Sequence, residues 1–155
     1  MALWIKIKSE RGLAKYTKNL GENILIAKAS QDIYCLVGYI KVDERLAYFA
    51  LNGQVVRKNE FSMFVINGRS RYFSWYYLRE GESLPPKSYM VGHDYRVKST
   101  FIGKTTVNGE ELYGRVNILS DEPVLSIATK SDGVVFAYSF YILLYEADGN
   151  VINNE

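Results

Sequence analysis

The chain repeats itself at a spacing of 65 residues, and this repeat restricts the fold more than any other feature of the sequence. Residues 24–80, aligned without a gap on residues 89–145, share eight identical positions, where about three or four are expected by chance. The identical pairs are Gly38/Gly103, Val42/Val107, Tyr48/Tyr113, Asn52/Asn117, Gly68/Gly133, Ser74/Ser139, Tyr76/Tyr141 and Leu78/Leu143. A duplicated unit predicts two similar halves related by a pseudo-twofold axis, with a site in each half unless one copy has lost it.

The residue types predict an all-β protein made of two tandem antiparallel repeats. The 13 Tyr, 7 Phe and only 3 Pro favour strands. Asn-Gly and Asp-Gly dipeptides separate the short apolar runs, as tight hairpins require, and helix signals are nearly absent. The predicted strands cover residues 3–8, 24–28, 33–42, 46–51, 61–66, 71–79, 88–93, 99–107, 111–118, 124–129 and 134–146.

The repeat divides the chain into residues 1–80, residues 81–146 and an acidic tail, 147–155. A second similarity links Trp4–Ile7 with Trp75–Leu78, which indicates that each unit opens with an aromatic strand. The final predicted strand has no unit after it. Because an unpaired apolar edge promotes aggregation, we predict that this strand packs near the first one.

The charge pattern gives no sign of a nucleic-acid partner, since the formal net charge is only +2 and the charges are scattered. A local basic excess precedes the repeats, and it fits either a solvated face or a weak contact with an anionic surface. Its residues are Lys6, Lys8, Arg11, Lys15 and Lys18, against Glu10 and Glu22.

No signal-peptide pattern and no apolar run long enough for a transmembrane helix is present in the sequence. We therefore expect a cytoplasmic protein, or one released without a classical signal peptide. The single cysteine, Cys35, excludes an internal disulfide framework.

Four segments of the second repeat are similar, in order and spacing, to motifs of one family. Leu84–Asp94 resembles "VPxxAVxGGxD", Phe101–Thr105 resembles "YVGRA", Asn108–Val116 resembles "xGxxxPGKV", and Phe140–Leu143 resembles "YEVL". These are motifs of the DM-nine repeat family, whose members usually carry two repeats in tandem. The first repeat matches less well, because Ala27–Ala29 and Phe49–Leu51 stand where "GGxD" and "PGKV" are expected. The second repeat also departs at Val91, where the family has glycine, and at Arg115, where it has lysine.

This resemblance implies a mannose-recognising lectin of innate immunity, or a relative that responds to infection and stress inside cells. It assigns the sugar site to the Asp of "GGxD", the Lys of "PGKV" and a nearby acidic residue. Those positions are Asp94, Arg115 and Glu111 here, and His93 and Tyr113 are candidates for the wall of the site.

The same residues suit a diol ligand chemically. Glu111 precedes Arg115 by four positions, so a regular strand directs both side chains to one face. A carboxylate accepts and a guanidinium donates, so together they can hold neighbouring hydroxyls. The alternative is a surface Asp–Arg–Glu salt bridge that contributes little. At the spacing of 65 the first repeat has Ala29, Leu46 and Ala50 at these positions, so we expect it not to bind sugar in this way.

The sequence favours recognition over catalysis. His93 is the only histidine, which excludes a conventional histidine-based metal cluster, and a Ser-His-Asp triad unless His93 itself takes part. We therefore expect no metal, no cofactor and no enzymatic activity. One weak site per chain would gain affinity from a homodimer. A different class of function stays open: an intracellular stress- or vesicle-associated interaction protein whose sugar site has been lost.

Overall fold

The computed structural model describes residues 2–8, 10–17, 23–66, 72–94 and 98–146, and it is an all-β fold of two antiparallel sheets, which confirms the predicted class. In chain order its elements are β1 (Ala2–Ile7), α1 (Glu10–Thr17), β2 (Ile24–Gln31), β3 (Tyr34–Lys41), β4 (Leu46–Leu51), β5 (Gln54–Lys58), β6 (Phe61–Ile66), β7 (Phe73–Leu78), β8 (Met90–Asp94), β9 (Lys98–Val107), β10 (Glu110–Leu119), β11 (Glu122–Ala128), β12 (Val134–Ala137) and β13 (Phe140–Tyr145).

The two sheets have the same strand order, so the chain consists of two similar halves. The first sheet runs β1-β6-β2-β3-β4-β5 and the second runs β7-β13-β9-β10-β11-β12, with β8 added beside β9. Strand β3 packs on β10, and β4 packs on β11. Each of these strands meets its own counterpart, as a pseudo-twofold relation between the halves requires.

The 65-residue spacing is not the structural repeat. Gly38 pairs with Ala27 between β2 and β3, and Gly114 pairs with Gly103 between β9 and β10. Gly38 therefore corresponds to Gly114, whereas the sequence alignment placed it on Gly103. The similarity of Trp4 and Trp75 does hold in the structure, because β1 and β7 occupy the same place in the two sheets.

Strand β7 lies in the second sheet, where it pairs with β13, although the sequence analysis placed residues 71–79 within the first repeat. The final strand β13 pairs with β7 and β9, and β1 pairs with β6, so the last strand does not pair with the first. The two strands do pack near each other, as predicted, because Trp4 of β1 and Leu143 of β13 share one apolar cluster. The predicted tail, 147–155, lies outside the described residues.

Two elements were missed by the sequence analysis. The helix α1 contains only eight residues, and it docks through Leu13, which is buried. The strand β5 follows the Asn52-Gly53 turn, where both residues have positive φ as a tight hairpin requires. The predicted strand 134–146 is two strands, β12 and β13. In the part of the chain that the structure describes, no helix combines the length and apolar character that crossing a membrane would need.

The first half has its own apolar core, the core of the second half also includes Tyr39, Tyr48 and Ala50 of the first sheet, and a third cluster joins the sheets. In the first half the core contains Leu36, Ile40, Phe49 and Met63, together with Leu13 of the helix. The joining cluster contains Ile26, Val37 and Phe64 of the first sheet and Ile102 and Leu143 of the second. The sheets are therefore held face to face by apolar packing, which fixes how residues from the two halves meet.

A buried hydrogen bond between the halves gives a first prediction. The hydroxyl of Tyr39 donates to the carbonyl oxygen of Ala128 at 2.6 Å. Tyr39→Phe removes the donor and its buried hydrogen bond, so we expect the free energy of unfolding to fall by about 1–2 kcal/mol. Urea unfolding at neutral pH measures the loss. Tyr76→Phe, at an exposed tyrosine, is the matched control and should change little.

The same variant changes the response to alkali. Burial raises the pKa of Tyr39 above its usual range. A raised folded-state pKa stabilises the protein fully below the unfolded pKa of about 10, and this stability is lost as the pH rises further. The wild type should therefore lose stability above pH ~10 more steeply than Tyr39→Phe. If the free energy of unfolding fell equally with pH in the two proteins, the raised pKa of Tyr39 would be contradicted.

Candidate functional site

The two strands that carry the predicted site residues, β8 and β10, flank β9 in the second sheet. β8 pairs with β9 and β9 pairs with β10. Asp94 ends β8 and pairs with Lys98, while Arg115 lies in β10 opposite Ile102. The side chains of His93 and Asp94 are outside the described part of the structure.

The motif segments of β8 and β10 meet at one residue of the first sheet, Cys35. A Cβ atom placed on Gly92 would lie 3.1 Å from the sulfur of Cys35. Arg115 Nη1 donates to the carbonyl oxygen of Cys35 at 3.3 Å, and its guanidinium lies 5.9 Å from the ring centroid of Tyr34. Asp94 follows Gly92 by two residues, about 7 Å along the strand. Asp94 pairs with Lys98, which is four residues from Ile102 opposite Arg115, so the register offsets Asp94 from Arg115 by about 13 Å along the strands.

Glu111 and Arg115 share a face of β10 but do not meet. The strand has no irregularity between them, so four residues separate them by about 13 Å. The carboxylate of Glu111 instead lies 3.2 Å from the ammonium of Lys104. The backbone therefore offsets both Asp94 and Glu111 from Arg115, and Glu111 lies beside a lysine that the sequence analysis did not select.

An aromatic group surrounds Lys104. Its ammonium lies 4.4 Å from the ring centroid of Trp75 and 5.7 Å from that of Tyr141. Tyr113, a predicted wall residue, stacks on Trp75 with centroids 6.0 Å apart. Tyr141 also contacts Tyr77 at 5.0 Å, and 41% and 42% of Tyr77 and Tyr141 are exposed.

This arrangement offers the three kinds of contact that a polar ring ligand can use. An ammonium donates, a carboxylate accepts, and exposed rings supply an apolar surface. We call the group Lys104, Glu111, Trp75, Tyr113 and Tyr141 the aromatic platform. A signal for Lys104 was present in the sequence, because it occupies the basic position of the "YVGRA" motif. Trp75 carried no such signal, since it precedes the motif segments and joins them only through the pairing of β7 with β13.

The first half contains a counterpart of the platform. Lys28 occupies the place of Lys104, because Lys28 pairs with Ser62 of β6 as Lys104 pairs with Tyr141 of β13. Its ammonium lies 4.5 Å from the ring centroid of Trp4, the counterpart of Trp75. Burial lowers the pKa of Lys28 from its usual value. Both halves therefore hold a lysine over a tryptophan.

The strand pairing changes which first-half residues correspond to the predicted site residues of the second half. Tyr39 corresponds to Arg115 and Cys35 to Glu111, since each lies one or three residues from the paired glycines Gly38 and Gly114. Neither first-half residue has the charge of its counterpart. The expectation that the first half lacks the polar set therefore stays a prediction, now made for different residues from those named above.

The fold and these contacts define a tandem-repeat β protein with one lysine–tryptophan pair in each half. The chain belongs to the DM9 repeat family, whose model matches residues 18–132. No curated protein matches the chain significantly.

Proposed function

We propose that this protein recognises carbohydrate without catalysis, and that the site lies in the second half and takes mannose-type sugars. Asp94, Arg115 and Glu111 are the proposed binding residues, with His93 and Tyr113 beside them. The observation that carries the proposal is that Gly92 and Arg115 reach the same residue, Cys35, from different strands. This convergence supports a ligand-contact region around Arg115, where β8 and β10 meet the first sheet, and Asp94 follows Gly92 by two residues on β8. Family membership supports the class of ligand.

The distance along β10 extends the proposal from one sugar ring to a chain of them. Arg115 and Glu111 lie about 13 Å apart, and Tyr113 lies between them on the same face. We therefore assign Arg115 to one subsite, with Asp94 at its outer end about 13 Å further along the strands, and Glu111 with Lys104 to a neighbouring subsite on the other side. The aromatic platform gives the second subsite its apolar surface.

The expected affinity for a monosaccharide is weak. A charge-assisted hydrogen bond contributes about 1.5–3 kcal/mol, and ordering the ligand removes much of that gain. Several linked sites raise the effective affinity without new contacts. We therefore propose a homodimer that presents the site at least twice, acting in recognition of microbial or damaged surfaces.

Retention on immobilised mannose tests the proposal. The wild type should be retained on mannose-agarose, pass through galactose-agarose and be eluted by free mannose. Asp94→Ala should abolish retention, because the main acceptor of the first subsite is removed. Asp43→Ala is the matched control, since Asp43 is exposed in the β3–β4 turn of the other half. It should behave like the wild type, and equal retention of both variants would contradict the proposed site.

One observation favours the second candidate, an intracellular interaction protein without a sugar site. The guanidinium of Arg115 already donates to a backbone carbonyl of the first sheet, so it helps to join the sheets. On this account neither the wild type nor Asp94→Ala is retained on mannose-agarose or galactose-agarose. Arg115→Gln unfolds at a lower temperature than the wild type.

A further inference from the structure

A basic cavity opens in the first half, and it borders the proposed sugar site at one shared residue, Cys35. Its volume is about 460 Å³, which is within the range of small-molecule sites. Four lysines line it, namely Lys6, Lys8, Lys28 and Lys58, and Glu60 is the one carboxylate among the residues that line it. The lining side chains therefore carry a formal charge of +3.

Three of the lining residues form a row across neighbouring strands. Ser62 of β6 pairs with Lys6 of β1 on one side and with Lys28 of β2 on the other. Directly paired residues share a face of the sheet, and adjacent strands lie about 4.8 Å apart. Lys6 and Lys28 are therefore about 10 Å apart at their Cα atoms, with a hydroxyl between them.

The second half shows what has changed at this place. Lys104, the counterpart of Lys28, forms an ion pair with Glu111 and is covered by Tyr141. In the first half Cys35 replaces that carboxylate and Ser62 replaces that tyrosine.

Lysine also replaces a further tyrosine of the second half. Lys6 stands opposite Ser62 as Tyr77 stands opposite Tyr141. The substitutions remove a negative charge and two large rings, and they add a positive charge. In the second half the lysine is paired with a carboxylate and covered by a ring, whereas the corresponding lysine of the first half lines an open basic cavity.

Among the described residues, none of the four lysines of the cavity forms an ion pair with a carboxylate. Lys28 is half-buried against Trp4, which holds its ammonium in one place. Burial removes part of the hydration that stabilises a cation. An anion that binds beside the ammonium compensates for this loss by its opposite charge.

We propose that this cavity binds a phosphate monoester, with Lys28 and Lys6 on either side of the phosphate and Ser62 donating to it. A phosphate monoester carries a charge of about −1.5 to −2 at neutral pH and has three acceptor oxygens. An ammonium offers three donors and no acceptor, so several lysines can share one phosphate. The inference does not rest on the sugar site, whose residues lie in the other half. The phosphate can belong to a small molecule or to a lipid headgroup.

Titration calorimetry with glucose 6-phosphate, glucose 6-sulfate and glucose tests the charge requirement. We expect glucose 6-phosphate to bind more tightly than glucose 6-sulfate, and glucose not to bind. The affinity for both anions should fall as the ionic strength rises. Lys28→Gln should reduce the affinity for glucose 6-phosphate at least about tenfold, because one charge-assisted hydrogen bond is lost. Lys87→Gln is the matched control: Lys87 is exposed and lies outside the cavity. It removes the same charge and should leave the affinity unchanged.

A second variant tests the cavity without changing the net charge. Ser62→Tyr installs the residue of the other half and should close the cavity, so binding should be lost while circular dichroism stays that of the wild type.

Co-sedimentation with vesicles that contain or lack phosphatidylinositol phosphate shows whether the phosphate belongs to a lipid headgroup or to a small molecule. Binding to glucose 6-phosphate assigns a small molecule, and binding only to the phosphorylated vesicles assigns a headgroup. The proposal is overturned if the protein binds neither glucose 6-phosphate nor the phosphorylated vesicles. It is also overturned if Lys28→Gln and Ser62→Tyr leave the binding unchanged.

Discussion

We expect Gly38→Ala to lower the free energy of unfolding by at least about 3 kcal/mol, which is a large share of the roughly 5–15 kcal/mol typical of a folded domain. A Cβ atom at this position would lie 1.9 Å from the carbonyl oxygen of Tyr48 and 2.9 Å from the ring of Phe49. The first of these is a backbone atom in the adjacent strand, so relief requires β3 and β4 to separate. The two strands cannot separate without exposing the core behind them.

Gly103→Ala is the matched comparison for this prediction. Its Cβ atom would meet the side chains of Val116, Leu125 and Phe140, the closest at 2.6 Å. Side chains can repack, so we expect a smaller loss of about 1–2 kcal/mol. Urea unfolding of the two variants measures the difference. A loss for Gly38→Ala no larger than that for Gly103→Ala would contradict the close approach of β3 and β4.

The second large effect is expected at Arg115. Arg115→Gln should reduce the affinity for a mannose-type oligosaccharide at least about tenfold, because a charge-assisted donor is replaced by a neutral one. Arg115→Lys restores the residue that the family has at this position, and it should keep the affinity within a few-fold of the wild type. Calorimetry with a mannose oligosaccharide measures both values.

A stability measurement separates binding from folding in these two variants. Both lose the geometry of the guanidinium that bonds to Cys35, so both should unfold at a somewhat lower temperature than the wild type. Equal destabilisation with unequal affinity supports a binding role for the positive charge. Unchanged affinity in Arg115→Gln would show that Arg115 only joins the sheets.

The fold class could be predicted because local signals and the tertiary structure agree. Asn52-Gly53 and Asn108-Gly109 have positive φ at both residues, as their dipeptides predicted. Helix α1 could not be predicted in the same way. Its eight residues are too few to be stable alone, and it forms because Leu13 docks on the first sheet.

The repeat was detected, but its spacing was wrong for a physical reason. Trp75 follows Trp4 by 71 residues, Lys104 follows Lys28 by 76, and Leu143, the counterpart of Phe64, follows it by 79. The connections differ in length between the halves, so no alignment without gaps can superimpose them. The 65-residue spacing aligned strands that resemble one another in composition but occupy different places in the sheets.

The candidate site could be predicted only within one sheet. Asp94 and Arg115 lie in one sheet on the two strands that flank β9, because β8, β9 and β10 follow one another along the chain. The contact of Arg115 with Cys35 depends on how the two sheets face each other, which the sequence does not encode locally. Trp75 reaches Lys104 through a similar long-range pairing.

The most direct test of the account is a chemical-shift titration of the labelled protein with mannose and with galactose. Weak binding is in fast exchange, so each amide near the ligand shifts progressively as the sugar is added. We predict mannose-selective shifts for the amides around Gly92, Cys35 and Arg115, and their loss in Asp94→Ala. Shifts of equal size with galactose, or no shifts at millimolar mannose, would contradict the proposed carbohydrate site.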